Sequence, residues 1–222
     1  MTFKQLQDEV LDYCQELQSI TDFSITKVKR FINRAQLDFI RQTKCKQLDI
    51  DITTVANQVS YTSSDAANLA FAFDVFEVRY DDGTEWGNKL TFRDHVTLPE
   101  QYQYGRPYEY WITGNHSKGN FTIGTFPIIS VSSNTLRVSA FVYPLVDLSA
   151  NTDEPVIEDA WQDALPEYAA YRLFKIYSHR DKAFVYRSRE HKAEYQNYVE
   201  DYNYRAIKQS DEITSIIDVY GD

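Results

Sequence analysis

The sequence predicts an α+β fold: helices from both ends of the chain form one helical bundle, and an antiparallel β-sheet or small barrel is inserted between them. Three observations predict it. Apolar residues recur every three to four positions up to about residue 47, alternate from Leu48 onward, and return to the longer spacing near Trp161. Between 48 and 146, short apolar runs are separated at regular intervals by turn-forming residues. The two N-terminal helical segments carry complementary charge: residues 1–22 hold one Lys and five acids, whereas residues 23–47 hold seven Lys or Arg against Asp38 alone. The expected division is residues 1–47 and 147–208 as the bundle, 48–146 as the β domain and 209–222 as a terminal arm.

Phe3, Leu6, Val10, Cys14 and Leu17 lie at the spacing of a helix over about residues 3–18 whose apolar stripe faces a core. After Ser19-Ile20-Thr21-Asp22, Ser24 and Thr26 are candidate N-caps for a second helix. In it Val28, Phe31, Ile32, Ala35 and Phe39 repeat the stripe to about Gln47. Leu48, Ile50 and Ile52 then alternate with Asp49, Asp51 and Thr53, the pattern of a strand with one wet face. That pattern accounts for the closely spaced aspartates without a catalytic role. A turn at Ala56-Asn57-Gln58 precedes Val59 and Tyr61, and further strands are expected at 75–80, 108–113, 120–124 and 136–143. Trp161, Leu165, Ala169, Leu173 and Ile176 mark a third helix, with Pro166 in its first turn or kinking it. A fourth, over 182–208, carries Phe184, His191, Tyr195, Tyr198 and Tyr202 as a nearly heptad stripe.

Composition narrows the function. A chain of 222 residues that is 43% hydrophobic is not intrinsically disordered, and no apolar stretch approaches the ~18 residues of a membrane span. The start, Met1-Thr2-Phe3-Lys4-Gln5, has no apolar region of the secretory kind, and two cysteines are too few for a disulfide framework, so a reducing cytoplasm is expected. A net charge of −10 argues against a protein whose work is to grip nucleic acid, while leaving room for a local basic patch. Seventeen tyrosines and thirteen phenylalanines supply rigid amphipathic surface of the kind concentrated at interfaces.

Catalytic patterns are missing. Gly119-Asn120-Phe121-Thr122-Ile123-Gly124-Thr125 has the glycine spacing of a phosphate loop but Thr125 where its Lys must stand, so the glycines read as turns around a strand. No G-x-S-x-G elbow occurs, and His95, His116, His179 and His191 form neither H-E-x-x-H nor a close pairing with cysteine. No catalytic residue, cofactor or metal is expected; His191 reads as a hydrogen-bonded packing histidine, and Cys14 and Cys45 as core or semi-buried thiols. Lys27, Lys29, Arg30 and Arg34 on the second helix are candidate DNA-facing residues, or a solvated face neutralised by the acidic first helix. Residues 147–171 hold seven acids and no base, and residues 172–192 hold seven bases against two acids. Such patches can pair within the chain or between neighbours of a ring, which makes Asp153, Glu154, Glu158, Asp159, Asp163, Arg187 and Arg189 candidate subunit–subunit residues.

The order of segments resembles a known family. Phe31-Ile32-Asn33-Arg34-Ala35-Gln36-Leu37-Asp38-Phe39-Ile40 is similar to the opening helix of the head-to-tail connector adaptors, or tail tubular ring proteins, of tailed bacteriophages. Thr53-Thr54-Val55-Ala56-Asn57-Gln58-Val59-Ser60-Tyr61 resembles their strand-turn-strand, and the stretch from Gly105-Arg106-Pro107 to Gly114 their G-x-P-x-x-Y strand. Val138 to Leu145 resembles the family's final strand, and Asp153-Glu154-Pro155-Val156-Ile157 followed by Glu167 to Arg172 the return to the bundle. The stretch from Gly124 to Ile128 lacks the double-proline element of many members, and the tyrosine-rich last helix and acidic tail have no counterpart. The resemblance implies a homo-oligomeric ring of twelve subunits in the virion neck, assembled in the host cytoplasm, with no catalysis and no membrane. It also implies a portal protein and a tail or nozzle protein as partners, and transient non-specific contact with the DNA that passes through. It further implies docking on the portal by a terminal extension, here Ile213, Ile216, Ile217, Val219 and Tyr220. The alternatives are a cytoplasmic, non-enzymatic binding module whose Trp86, Tyr102, Tyr104, Tyr110 and Trp111 stack on glycan or peptide, and a hydrolase using scattered carboxylates.

Overall fold

The computed structural model describes residues 1–84, 87–93, 103–114 and 121–220, with side chains through Lys208. The fold is α+β, as expected, and divides into two compact units, Met1–Cys45 with Val146–Asp222, and Lys46–Leu145.

In the first unit, α1 (Phe3–Tyr13) opens on a capping box: the Thr2 hydroxyl accepts from the Gln5 amide at 3.3 Å and the Gln5 side chain accepts from the Thr2 amide at 2.7 Å. A 3₁₀ turn at Gln15–Leu17 continues the apolar stripe, so Cys14 and Leu17 are buried with Phe3, Leu6 and Val10. α2 (Ile25–Thr43) is capped by Ser24 and ends where Lys44 turns left-handed at φ 53°, three residues before the expected Gln47. α3 (Ala164–Tyr177) carries Pro166 in its first turn, where no helical N–H is needed. α3 packs on each of the other three helices, which explains why Ala164, Leu165, Ala169, Ala170, Leu173 and Phe174 are all buried. α4 runs over Lys182–Tyr220 and is not ended at Lys208-Gln209-Ser210 as the sequence suggested. Polarity alone does not stop a helix, because Lys and Gln are good helix formers and neither Gly nor Pro intervenes.

The second unit holds β1 (Gln47–Thr53), β2 (Ser60–Tyr61), β3 (Ala72–Asp81), β4 (Asn88–Lys89), β5 (Thr91–Phe92), β6 (Tyr104–Gly105), β7 (Glu109–Thr113), β8 (Thr122–Phe126), β9 (Ile128–Ile129) and β10 (Thr135–Val142). One sheet has the order β1-β10-β3-β4, a second β2-β8-β7-β5, and β6 pairs with β9. The expectation of a small barrel is corrected: β1 and the two-residue β4 remain edges, so among the described residues the sheets do not close. The sheet is also not wholly antiparallel, since β5 joins β7 and β6 joins β9 in parallel. Ile50, Ile52, Val78, Leu136 and Val138 of the first sheet form one core with Tyr61, Tyr110 and Ile123 of the second.

Gly124 lies directly opposite Trp111 in the β7–β8 ladder, and a Cβ there would sit 1.9 Å from the indole Cζ2. The indole occupies the space a side chain would need. Gly124→Ala is therefore expected to destabilise the β unit by about 1–3 kcal/mol through overpacking. Thermal unfolding of the double variant with Trp111→Ala checks this: a loss smaller than the two single losses added together identifies the clash as the cause.

On the wet face of β1, the Arg137 guanidinium donates to both Asp51 oxygens at 2.7 and 2.9 Å and holds the Asp51 carboxyl below its usual range. A lowered folded pKa means stability that is full above the unfolded value of 3.8 and fades as pH falls through the folded one. The pair is exposed, so Asp51→Asn should cost no more than about 1 kcal/mol at neutral pH and nothing in strong acid. Urea unfolding at the two conditions checks both halves; an equal loss in acid would assign the effect to packing.

Candidate functional site

Two of the side chains singled out for chemistry, His191 and Cys14, are built into packing. His191 lies between the Tyr13 and Phe174 rings, at centroid distances of 5.3 and 5.6 Å, and its Nδ1 is 2.7 Å from Glu167 Oε2. Burial, with the nearby Glu16 charge, pushes the buried Cys14 thiol up to about 12, far from a nucleophile's range. Among the described residues no group of three or more His, Cys, Asp and Glu is placed to hold a metal, and no helix is long and apolar enough to cross a membrane.

The directions of the helices decide which charged segments of the helical unit lie together. Lys27 Nζ meets Tyr177 at 3.0 Å, Arg172 lies 5.8 Å from the Phe31 ring, and Tyr195 donates to Asp38 at 2.8 Å, so α2 runs against α3 and with α4. Ser188 reaches the Tyr171 carbonyl and His191 reaches Glu167, which sets α4 against α3. The bases of the first half of α2 thereby lie along the second half of α3 with Arg172 and Lys175, where Asp22 pairs with Arg180 and Glu16 with Arg187, while Lys192 follows His191 and so lies level with Glu167. The acidic segment leading to Asp163 lies at the other end of α3, where the helix N-terminus favours negative charge.

The candidate DNA-facing bases are used locally. Lys27 also donates to the Asp22 carbonyl at 2.6 Å, Lys29 sits 5.8 Å from the Phe3 ring, and Arg30 and Arg34 lie 5.0 and 5.9 Å from Phe31. Asp153 accepts from the Ser149 and Ala150 amides at 2.7 and 2.8 Å, which locks that loop and holds its carboxyl below the usual range. Asp159 accepts from the Gln162 side chain at 2.8 Å. Glu154, Glu158 and Asp163 are exposed and make no ion pair among the described residues. Arg187 pairs with Glu16 and Glu190, whereas Arg189 has no such partner among the described residues.

Sequence reasoning missed a groove of about 240 Å³ between α3 and α4, lined in part by Tyr171, Lys175, Ser188, Arg189 and Lys192. The signal was present as Tyr171 and Lys175 one helical turn apart, but pairing them with Arg189 and Lys192 needs the hairpin register. The tyrosine stripe of α4 has divided roles. Burial and the Asp38 carboxylate push the Tyr195 phenol upward, keeping it a protonated donor, and Tyr202 packs edge-on against Trp161 and Phe39. Beyond Tyr202 the helix leaves the core: Tyr204 and Ile207 are 67% and 63% exposed. The backbone carrying Ile213, Ile216, Ile217, Val219 and Tyr220 is helical, and their side chains lie outside the described residues.

The described members of the alternative module's aromatic set do not gather on one face. Tyr110 is 5% exposed in the core, adjacent Trp111 covers Gly124 on the opposite face, and Tyr104 is exposed. Trp86, Tyr102, His95 and His116 fall outside the described residues, as does Gly119 of the loop tested for phosphate binding.

No curated protein matches the chain. The family model described as SU10 adaptor protein matches residues 1–215, a span that takes in the helices, the β unit and nearly all of α4. With the segment order that resembles phage head-to-tail adaptors, and a fold whose conspicuous side chains serve packing and charged surface, this match identifies the chain as a member of the SU10 adaptor protein family.

Proposed function

We propose that the protein is a structural component of a phage virion, a homo-oligomeric ring, of twelve copies by the family resemblance, that joins the portal to the tail and lets DNA pass. Family membership supports the adaptor role, and the observation that carries the ring is that the exposed acids Glu154, Glu158 and Asp163 precede α3 while the exposed base Lys175 lies near its other end. A closed ring needs head-to-tail contacts between two different surfaces, and acids and bases held apart on one unit offer them. Lys27, Lys29, Arg30 and Arg34 supply at most transient contact with DNA, since a subunit of net charge −10 does not retain phosphates along a passage. The distal part of α4 is the portal-docking arm.

Sizing the purified chain alone and with portal, followed by imaging of the assembly, tests this reading; a chain that stays monomeric under both conditions rules it out. Asp159→Lys with Asp163→Lys is expected to weaken assembly more at low salt than at high salt, because screening removes the contribution of exposed charges. Sedimentation at the two salt concentrations checks it, and equal assembly at low salt would take these residues out of the contact.

A further inference from the structure

The α3–α4 groove has the form of a receptor for a carboxylate-bearing ridge. Lys175 comes from α3, and Arg189 and Lys192 stand one turn apart on α4; all three are exposed and make no ion pair among the described residues. Lys175 lies 5.5 Å from the Tyr171 ring and donates to its hydroxyl at 3.3 Å, so the groove holds an aromatic ring tied to one of its cations.

The complementary shape is on the same unit. In the segment entering α3, Pro155 and Ile157 are buried, so Glu154, Val156 and Glu158 alternate outward as an exposed ridge. The ridge is held in place, because the Val156 amide donates to the buried Gln36 side chain at 2.9 Å. A preformed segment loses little freedom on docking. It cannot reach its own Lys175: it precedes Ala164, whereas Lys175 is near the end of α3, roughly 15–20 Å away at the helical rise.

We propose, resting on the ring reading above, that the groove of one subunit receives the 154–158 ridge of a second copy. Lys175, Arg189 and Lys192 meet Glu154 and Glu158, and Val156 seats against Tyr171. Charge fixes the register of the contact and the apolar seat sustains it. Nucleic acid is the poorer occupant, since the groove is short and lined in part by a tyrosine in a subunit of net charge −10.

The test uses two full-length variants, one with Lys175→Glu, Arg189→Glu and Lys192→Glu, the other with Glu154→Lys and Glu158→Lys. All five positions are exposed, so unchanged far-ultraviolet dichroism and melting are expected. Each variant alone should self-associate about a hundredfold more weakly than the parent at low salt, because like charges then face each other. Their equimolar mixture should recover assembly, since every contact in an alternating ring is again complementary. If the parent forms rings but either variant assembles like it, or the mixture fails to recover, the groove–ridge contact is wrong while the ring stands. A parent that forms no ring, alone or with portal, removes both. A groove variant that assembles normally but loses retention of duplex DNA assigns the groove to nucleic acid and overturns the proposal.

Discussion

Replacing Phe31 by Ala should lower the stability of the helical unit by about 3–5 kcal/mol, the range for emptying a well-packed aromatic site. Phe31 is 1% exposed, near the middle of the stripe that α2 turns toward α3. Its ring is also an electrostatic anchor: Arg30, Arg34 and Arg172 stand 5.0, 5.9 and 5.8 Å from its centroid. Removing it takes away the ring that all three cations approach, so the apolar loss and the lost cation–π contacts act in the same direction. Phe31→Leu keeps most of the volume and none of the quadrupole, and should cost less than half as much. Arg34→Gln removes one exposed cation and should change stability by no more than about 1 kcal/mol. Urea unfolding followed by far-ultraviolet dichroism checks the series. A loss below about 1 kcal/mol for Phe31→Ala would mean that the site collapses around the missing ring.

The same stripe shows what the sequence makes legible. Val28, Phe31, Ile32, Ala35 and Phe39 announce α2 because a helix buries every third or fourth residue, and all five are buried. Leu48, Ile50 and Ile52 announce β1 because one face meets the core while Asp49 and Asp51 face water. The places where the reading falls short have physical causes. The left-handed turn at Lys44 is set by backbone geometry that a lysine does not advertise. β4, β5, β6 and β9 span two residues each, too short for alternation to register. Parallel pairing of β5 with β7 depends on the path of the chain, not on any local pattern. The surfaces divide likewise. Runs of one charge are visible in the sequence, but that Asp153 is consumed by its own loop, and that Arg187 is paired while Arg189 lines a groove with Lys175, are facts of tertiary register.

Deleting residues 210–222 should leave the unfolding of the subunit nearly unchanged and abolish its attachment to portal-bearing capsids. The first half follows from where α4 stops burying side chains, with Arg205 over the Trp161 ring as a surface contact beyond that point. Val199 is 6% exposed and Tyr202 packs on Trp161 and Phe39, but every residue from Tyr204 to Lys208 is exposed. A helix that has already left its core contributes little cooperative stability through its next three turns. The second half follows from the pattern the segment carries. Ile213, Ile216, Ile217 and Tyr220 recur at three and four residues on a helical backbone, which makes one apolar stripe, and the segment adds four acids with no base. A stripe of that kind suits a groove on a partner protein, and acids around it favour a basic rim. Ile216→Asp with Ile217→Asp should reproduce the loss of attachment without shortening the chain, since charge on the stripe cannot enter an apolar groove. Cosedimentation with portal-bearing capsids reads attachment, and thermal unfolding of the isolated subunit reads stability. If the deletion instead lowers the melting transition sharply while attachment persists, the segment packs on its own subunit and the portal is held by another surface.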